Sequence, residues 1–429
     1  MRYEDAVAHL GARQPEHMPG PSLDRIRALV DYLDHPELTY PTIHVTGTNG
    51  KSTAARSAAA VACGHELTAG VYLSPHLVDV TERFNVCGRD MTRGEFASEW
   101  ARLAPYLELV DGLGMGEVTY FEAVTALAFL WFADRPVGLG VFEVGMGGSW
   151  DATNLVMGDV AVITPIGMDH VAELGPTLAD IATEKAGIIK DARVAVVRAQ
   201  DPAAALVLAR RADEVGATLL HEGADWEVEE PLLAVGGQSF TLRTPRATYE
   251  DLYLPVFGDY AVANAAAGVV AFEALTEKGL NDDALHDGLA AVRAPGRLEV
   301  VGRDPLVVLD GAHNAGGALA VAAAFARSFT WDRLHLVIAV SANKDVEGVV
   351  GPVAAFADVV YATRNDSVRS AEPDAVAAAA RAAGVTDVAV LPGVADALAA
   401  ARAAAGPGDA ILVTGSLFTV GDAKRALAG

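Results

Sequence analysis

The chain has 429 residues, 52% of them hydrophobic and 21% charged, with 32 Lys+Arg against 56 Asp+Glu and a net charge of −24. That length suits two or three domains, and that apolar content supports a large core and excludes disorder as the main state. The negative field repels nucleic acid and anionic membranes, which argues against both as partners.

The N-terminal stretch MRYEDAVAHL has no secretory n-region, and Cys63 and Cys87 are too few for a disulfide framework, so the expected compartment is the reducing cytoplasm. The first strong strand signal is TIHVT, Thr42 to Thr46, which runs into Gly47-Thr48-Asn49-Gly50-Lys51-Ser52-Thr53 and then an Ala-rich helix. Strand, glycines, lysine, hydroxyls and helix in that order describe a phosphate-binding loop. Gly50 allows close backbone approach to a phosphate, and the first N–H groups of the helix point at it. Lys51 adds a mobile positive charge, and Ser52 or Thr53 offers a hydroxyl to Mg²⁺. The spacing departs from the common GxxxxGK[ST], because Val45 stands where the first glycine would be and the glycine comes at Gly47.

Next comes YLSPHLVDVTERFNVCGRDMT, a polar loop with Ser74, His76, Glu82 and Arg83. The longest apolar stretch, around Ala123 to Ala133, is shorter than the roughly 18 residues a membrane helix needs. The strand candidate VGLGVFEVG ends on Glu143, a carboxylate costly at a buried strand end unless a cation answers it. The candidates DVAVITPIG and ARVAVVRA follow, the first leading into Asp169 and His170. IATEKAGIIK places Glu184 and Lys185 in a helix, where such a pair is usually an exposed ion pair.

From Ala217 to Gly258 short period-two runs predict a small antiparallel patch, followed by a helix from about Ala261 to Thr276. AVRAPGRLEVVGRDP is the expected domain boundary, near Pro295, giving domains 1–295 and 296–429. Beyond it PLVVLDGAH, RLHLVIAV, FADVVYAT, DVAVLPG and AILVTGS read as buried strands alternating with Ala-rich helices. Asp310, His313 and Asn314 cluster at the carboxyl end of one such strand, where open α/β sheets bind ligands. An Asx turn capping the next helix is the competing reading there. Arg297 at the hinge answers phosphate charge or is an exposed linker residue.

Jointly, HVTGTNGKST, YLSPHLVDVTERF, EVGMGG with DATN, GMDHVAELGPTLADIATEKAGIIK, NAAAGVVA, APGRLE, LDGAHN and VTGSLFTVGDAKR resemble the folylpolyglutamate synthase/dihydrofolate synthase branch of the Mur ligase superfamily. The resemblance covers nearly the whole chain. It implies a P-loop mononucleotide-binding ATPase domain with the antiparallel patch, a smaller Rossmann-like C-terminal domain, and an active site between them. It implies ATP-dependent addition of L-glutamate to dihydropteroate or a reduced folate through an acyl phosphate, in a protein that is often a monomer.

By motif match, Gly47 to Thr53, Asn264, Arg297 and Asp310 contact the nucleotide, and Lys51 the transferred phosphate. Ser74, Glu143 and His170, helped by Ser52 or Thr53, hold Mg²⁺, with two ions expected. Lys185 matches a lysine carried as a carbamate, and His313 faces the glutamate side. Two departures are visible: Ser52 stands where this branch commonly has Gly, and Ser149-Trp150 occupy a loop where a basic residue is frequent.

Two alternatives stay open: a related ligase acting on another carboxylate cofactor, and a regulatory NTPase using the same loop. A peptidoglycan-type ligase is disfavoured, because too few residues precede Lys51 for a further domain of about 50 residues or more. The substrates expected here are anions, so an acidic protein must gather cations in its cleft. Lys51, Arg83 and Arg297 are the first candidates, with Lys344, Arg364 and Arg369 in the second domain.

Overall fold

The structure is a computed structural model that describes residues 1–15, 22–191, 193–229 and 231–428. The first sheet has eight strands: β1 (Thr42–Thr46), β2 (Ala69–Tyr72), β3 (Phe84–Val86), β4 (Arg89–Asp90), β5 (Leu139–Glu143), β6 (Val160–Ile163), β7 (Val194–Val197) and β8 (Thr218–His221). They lie in the order β4-β3-β2-β5-β1-β6-β7-β8. The run from β2 to β8 is parallel, and β3 and β4 form an antiparallel edge. β1, β5 and β6 are buried along their whole length, which explains their unbroken apolar runs. The apolar stretch Ala123 to Ala133 falls within the helix Tyr120–Asp134, buried from Glu122 to Phe132 behind this sheet. Among the described residues no helix is long and apolar enough to cross a membrane.

The antiparallel patch holds β9 (Glu227–Val228), β10 (Leu232–Ala234), β11 (Gly237–Arg243) and β12 (Thr248–Leu254). The expected patch began too early. Thr218–His221 is β8, and it pairs in parallel with β7 because it still belongs to the strand–helix alternation of the first sheet.

A third sheet contains β13 (Glu299–Arg303), β14 (Leu306–Leu309), β15 (Leu334–Ile338), β16 (Val359–Ala362), β17 (Asp387–Val390) and β18 (Ala410–Thr414). Its order is β13-β14-β18-β15-β16-β17, parallel except for the β13–β14 hairpin. The chain thus folds as a P-loop α/β domain with an antiparallel patch and a smaller Rossmann-like C-terminal domain.

The Ala- and Gly-rich helices pack at backbone distance. A Cβ on Gly268, in the helix Asp259–Thr276, would strike the backbone of Ala54 in the helix Lys51–Gly64. One on Gly288 would strike Ala60 and Val61 of that same helix. Small residues are therefore what let the phosphate-loop helix sit deep in the domain. Cys63 and Cys87 form a disulfide between the end of that helix and the β3–β4 turn. They make one crosslink, not a framework, and it runs against the expectation of a reducing compartment.

Candidate active site at the phosphate loop

β1 delivers the phosphate loop at the carboxyl edge of the sheet. Two residues there need glycine: Gly47 has φ +143° and Gly50 +92°, and a Cβ would collide with Thr164 at the first and with Asn264 at the second. Thr48 locks the loop to the segment after β6. Its hydroxyl donates to Gly167 O at 3.0 Å, and Gly167 N donates back at 2.9 Å. Lys51 curls over the loop and donates to the carbonyls of Gly47 and Thr48, both at 3.2 Å. Burial lowers its pKa, opposed by Glu143 and Asp169.

Parallel pairing with β1 sets Glu143 opposite Val45, two residues before the loop. The carboxylate is 2% exposed. Ser52 Oγ donates to Oε1 at 3.0 Å and Ser74 N to Oε2 at 3.4 Å. Burial raises its pKa and Lys51 pulls it back. Ser52, Ser74 and Glu143 therefore converge, whereas His170 does not touch them. Its ring stands 4.0 Å from Glu173, and burial pushes it down to about 4.

Lys185 sits in the helix Leu178–Ala186, 5% exposed, and donates to Gly47 O at 2.8 Å. The exposed-pair reading is thereby overturned for Lys185, because the helix packs this side chain inward under the loop. Burial, reinforced by Lys51, lowers its pKa to about 7.

The second domain reaches the loop through LDGAHN. Asn49 and Asn314 exchange amide hydrogen bonds at 3.1 and 3.0 Å. Asn314 Nδ2 also donates to Asp169 at 3.2 Å, and its Oδ1 caps the helix Ala315–Ser328 through Gly317 N at 2.8 Å. Lys344 Nζ forms an ion pair with Asp169, and His313 Nε2 lies 3.7 Å from the same carboxylate. Burial raises the Asp169 pKa, but His170, Lys344 and His313 outweigh it and hold the group well below the usual carboxylate range. Burial keeps His313 down at about 4, so its ring is neutral near pH 7. The Asx-cap reading holds, and the same Asn314 side chain also bridges the domains.

Asp310 is 2% exposed and accepts from Leu298 N at 2.9 Å and Ala312 N at 2.8 Å. Burial raises its pKa and Arg297 opposes the rise. Arg297 touches the carbonyl of Gly296 at 3.5 Å and faces a cavity of about 880 Å³ that opens between the domains. Ser52, Thr53 and Ser74 line the same cavity.

Three expected cations lie elsewhere. Arg83 is buried, bonded to His76 Nδ1 at 2.9 Å and stacked 5.4 Å from the Tyr120 ring. Arg369 lies over Phe418, and Arg364 is exposed on its loop.

Asp151 and Arg198 were missed as residues, although Asp151 lies inside the DATN motif. Asp151 is 3% exposed and pins the loop after β5 by accepting from Met146 N at 2.9 Å and Thr153 N at 3.0 Å. Arg198 donates to the side-chain Oδ1 of Asn264 and to Glu222 at 2.6 Å. The Arg198 pairing spans 66 residues, so no local signal announces it.

Family models describe two parts of the chain: a Mur ligase middle domain over residues 45–272 and a Mur ligase glutamate ligase domain over 296–417. The chain is 39% identical over 392 residues to the dihydrofolate synthase/folylpolyglutamate synthase of Mycobacterium tuberculosis, covering 87% of this chain and 80% of that protein. It superposes on the M. tuberculosis folylpolyglutamate synthase complexed with ADP with a TM-score of 0.95 and 36% identity, over 100% of this chain and 98% of that one. Escherichia coli FolC in complex with DHPP and ADP gives a TM-score of 0.88 at 28% identity, with the same coverage.

Proposed function

The chain belongs to the dihydrofolate synthase/folylpolyglutamate synthase family of Mur ligases, and on that premise we propose how its residues join L-glutamate to dihydropteroate, a reduced folate, or both. It is an ATP-dependent acid–amino-acid ligase. The observation that carries the site assignment is a buried carboxylate, Glu143, set against Ser52 and Ser74 beside a phosphate loop that the second domain closes over.

A free carboxylate is a poor acylating group. Its oxygen attacks the γ-phosphorus of ATP, forming an acyl phosphate and releasing ADP. The amine of glutamate attacks the acyl carbon, and the tetrahedral intermediate expels phosphate as the amine loses a proton. Such transfer rests on positioning and on charge stabilisation. Lys51 follows the transferring phosphoryl group, and the amides of Gly47 to Thr53 bind the nucleotide phosphates; the contacts of Lys51 with the loop carbonyls support this reading. Asn264, Arg297 and Asp310 hold the nucleotide, and His313 faces the glutamate side.

Glu143 fits a divalent ion. Its partners are hydroxyl and amide donors, and no cationic side chain pairs with it among the described residues. One carboxylate with hydroxyls suits Mg²⁺, which keeps several ligands for water and phosphate. The described residues contain no cluster of three or more His, Cys, Asp or Glu, as an all-protein cage would. Ser52, Ser74 and Glu143 are the holders we assign, with Thr53 adjacent. When bound, Mg²⁺ neutralises charge on the transferring phosphate oxygens. His170 would hold a second divalent ion, and Lys185, once carbamylated, would supply an anionic ligand: its free amine adds CO₂, loses a proton and becomes a carbamate.

We set the domain division at Pro295, supported by the position of every strand of the third sheet beyond it. We place the protein, as a monomer, in the cytoplasm on the strength of its need for ATP, against the indication of the Cys63–Cys87 crosslink. The test is ADP release measured with L-glutamate, in parallel with dihydropteroate and with tetrahydrofolate. Release that needs both an acceptor and glutamate supports the reading, and release with neither sinks it.

A further inference from the structure

The interdomain cavity continues past the phosphate loop along one face of the helix Lys51–Gly64. Ser52, Arg56, Ala59 and Ala60 line it, at the spacing of a single helix face. Asn85 and Asp90 of the β3–β4 hairpin line the same cavity. Arg56 is half-buried and has no hydrogen-bond or ion-pair partner among the described residues.

Its neighbouring carboxylates are engaged elsewhere. Glu82 accepts from Leu77 N, Val78 N and Asp79 N at 2.8, 3.0 and 2.9 Å. Asp90 accepts from Asn85 at 2.6 Å, and Glu143 from Ser52. Two other cavity cations have protein partners, Lys424 pairing with Glu299 at 2.8 Å and Arg293 bonding Val292 O at 3.0 Å, and Arg303 is exposed at the end of β13. A half-buried guanidinium with no protein partner keeps its donors free for an anion in the cavity, and a carboxylate is the group its planar fork matches best. Burial accordingly lowers the Arg56 pKa, with Asp90 the largest opposing influence.

Distance favours one kind of carboxylate. Four residues of helix put Arg56 about 6 Å along the axis from Ser52. The two carboxyl carbons of a glutamyl residue are separated by four carbon–carbon bonds, a span of roughly 5 Å. We propose that Arg56 binds the non-reacting carboxylate of an acceptor that already carries a glutamyl residue, while the other carboxylate faces the phosphate loop. This rests on the ligase reading above. It makes Arg56 a specificity residue for glutamylated acceptors, since dihydropteroate has only the carboxylate that reacts.

Dihydropteroate and dihydrofolate differ by one glutamyl residue and form a matched pair of probes. Their dissociation constants are measured by titration calorimetry on wild type, Arg56→Gln and Arg56→Lys, with a non-hydrolysable ATP analogue present. Arg56→Gln is expected to weaken dihydrofolate at least tenfold more than dihydropteroate, and Arg56→Lys to recover part of that difference. Equal weakening of both ligands, a change in ATP-analogue affinity without a change in the ratio, or no change at all overturns the proposal. The proposal also fails if Arg56→Lys folds and behaves as Arg56→Gln with an unaltered ratio. Failure of the ligase reading shows separately, as wild-type ADP release that ignores acceptor and glutamate.

Discussion

Glu143 and Lys185 illustrate how single residues acquire chemistry from burial. Glu143 has its full desolvation cost and only neutral donors on its oxygens, so its charge awaits a cation. Glu143→Gln preserves shape and removes that charge. We expect the variant to fold normally, to lose about 100-fold or more in turnover, and to need more Mg²⁺ for half-maximal rate; unchanged Mg²⁺ dependence would remove Glu143 from the metal site.

Lys185, lowered to about 7, is cationic below that pH and a free amine above it. Only the free amine takes up CO₂. Reactivation of CO₂-depleted enzyme by bicarbonate should therefore rise with pH, with its midpoint near 7. Lys185→Ala should be inactive and partly rescued by short carboxylates, which activity assays with added acetate or propionate would show.

At the scale of elements, the helix Lys51–Gly64 is the axis of the site. Its N-terminus carries the loop, its middle carries Arg56, and its end is tied to the β3–β4 turn by Cys63–Cys87. Closing a loop of this length stabilises by about 3 kcal/mol in the chain-entropy account. Cys87→Ser should lower the unfolding free energy by about that amount in oxidising buffer, and a thiol reductant should produce the same loss in wild type. Equal denaturation midpoints with and without reductant would mean the crosslink contributes nothing. Element types were readable along the chain because buried parallel strands are continuous Val/Ile runs and the helices are Ala-rich. β8 was misassigned because TLLH has no neighbouring signal that separates a last parallel strand from a first antiparallel one; its pairing with β7 decides it.

Across the whole molecule, closure centres on Asp169. It stands on the first domain and faces Lys344, His313 and Asn314 of the second, while Asn314 continues to Asn49 on the phosphate loop. Shielding an acyl phosphate from water needs such a latch. Asp169→Asn and Lys344→Met should each release more ADP per amide bond formed. The double variant should be little worse than either single, a coupling of about 0.5–3 kcal/mol. Additive effects, or an unchanged ratio of ADP to product, would show that the pair does not govern closure.

The net charge of −24 also takes a sharper meaning at this scale. The cations near the transfer site are individually placed: Lys51 over the loop, Arg297 at the hinge and Arg56 in the cavity, while Lys185 beneath the loop adds negative charge once carbamylated. Arg83, expected among them, is spent on His76 and Tyr120.

By itself the sequence determined the strand–loop–helix order, the phosphate loop, the family and the residue types at the site. These are local patterns or ordered motifs, set by side-chain periodicity and by the φ values only glycine tolerates. Tertiary structure alone decided which of those residues meet. Glu143 reaches Ser52 because β5 pairs with β1, and Lys185 is buried because its helix packs against the loop. Arg56 is left without a protein partner because Glu82 and Asp90 bond to other groups of the chain and Glu143 faces Ser52 and Ser74. Burial and pairing arise from contacts between segments far apart in the chain, so they have no local signature to read.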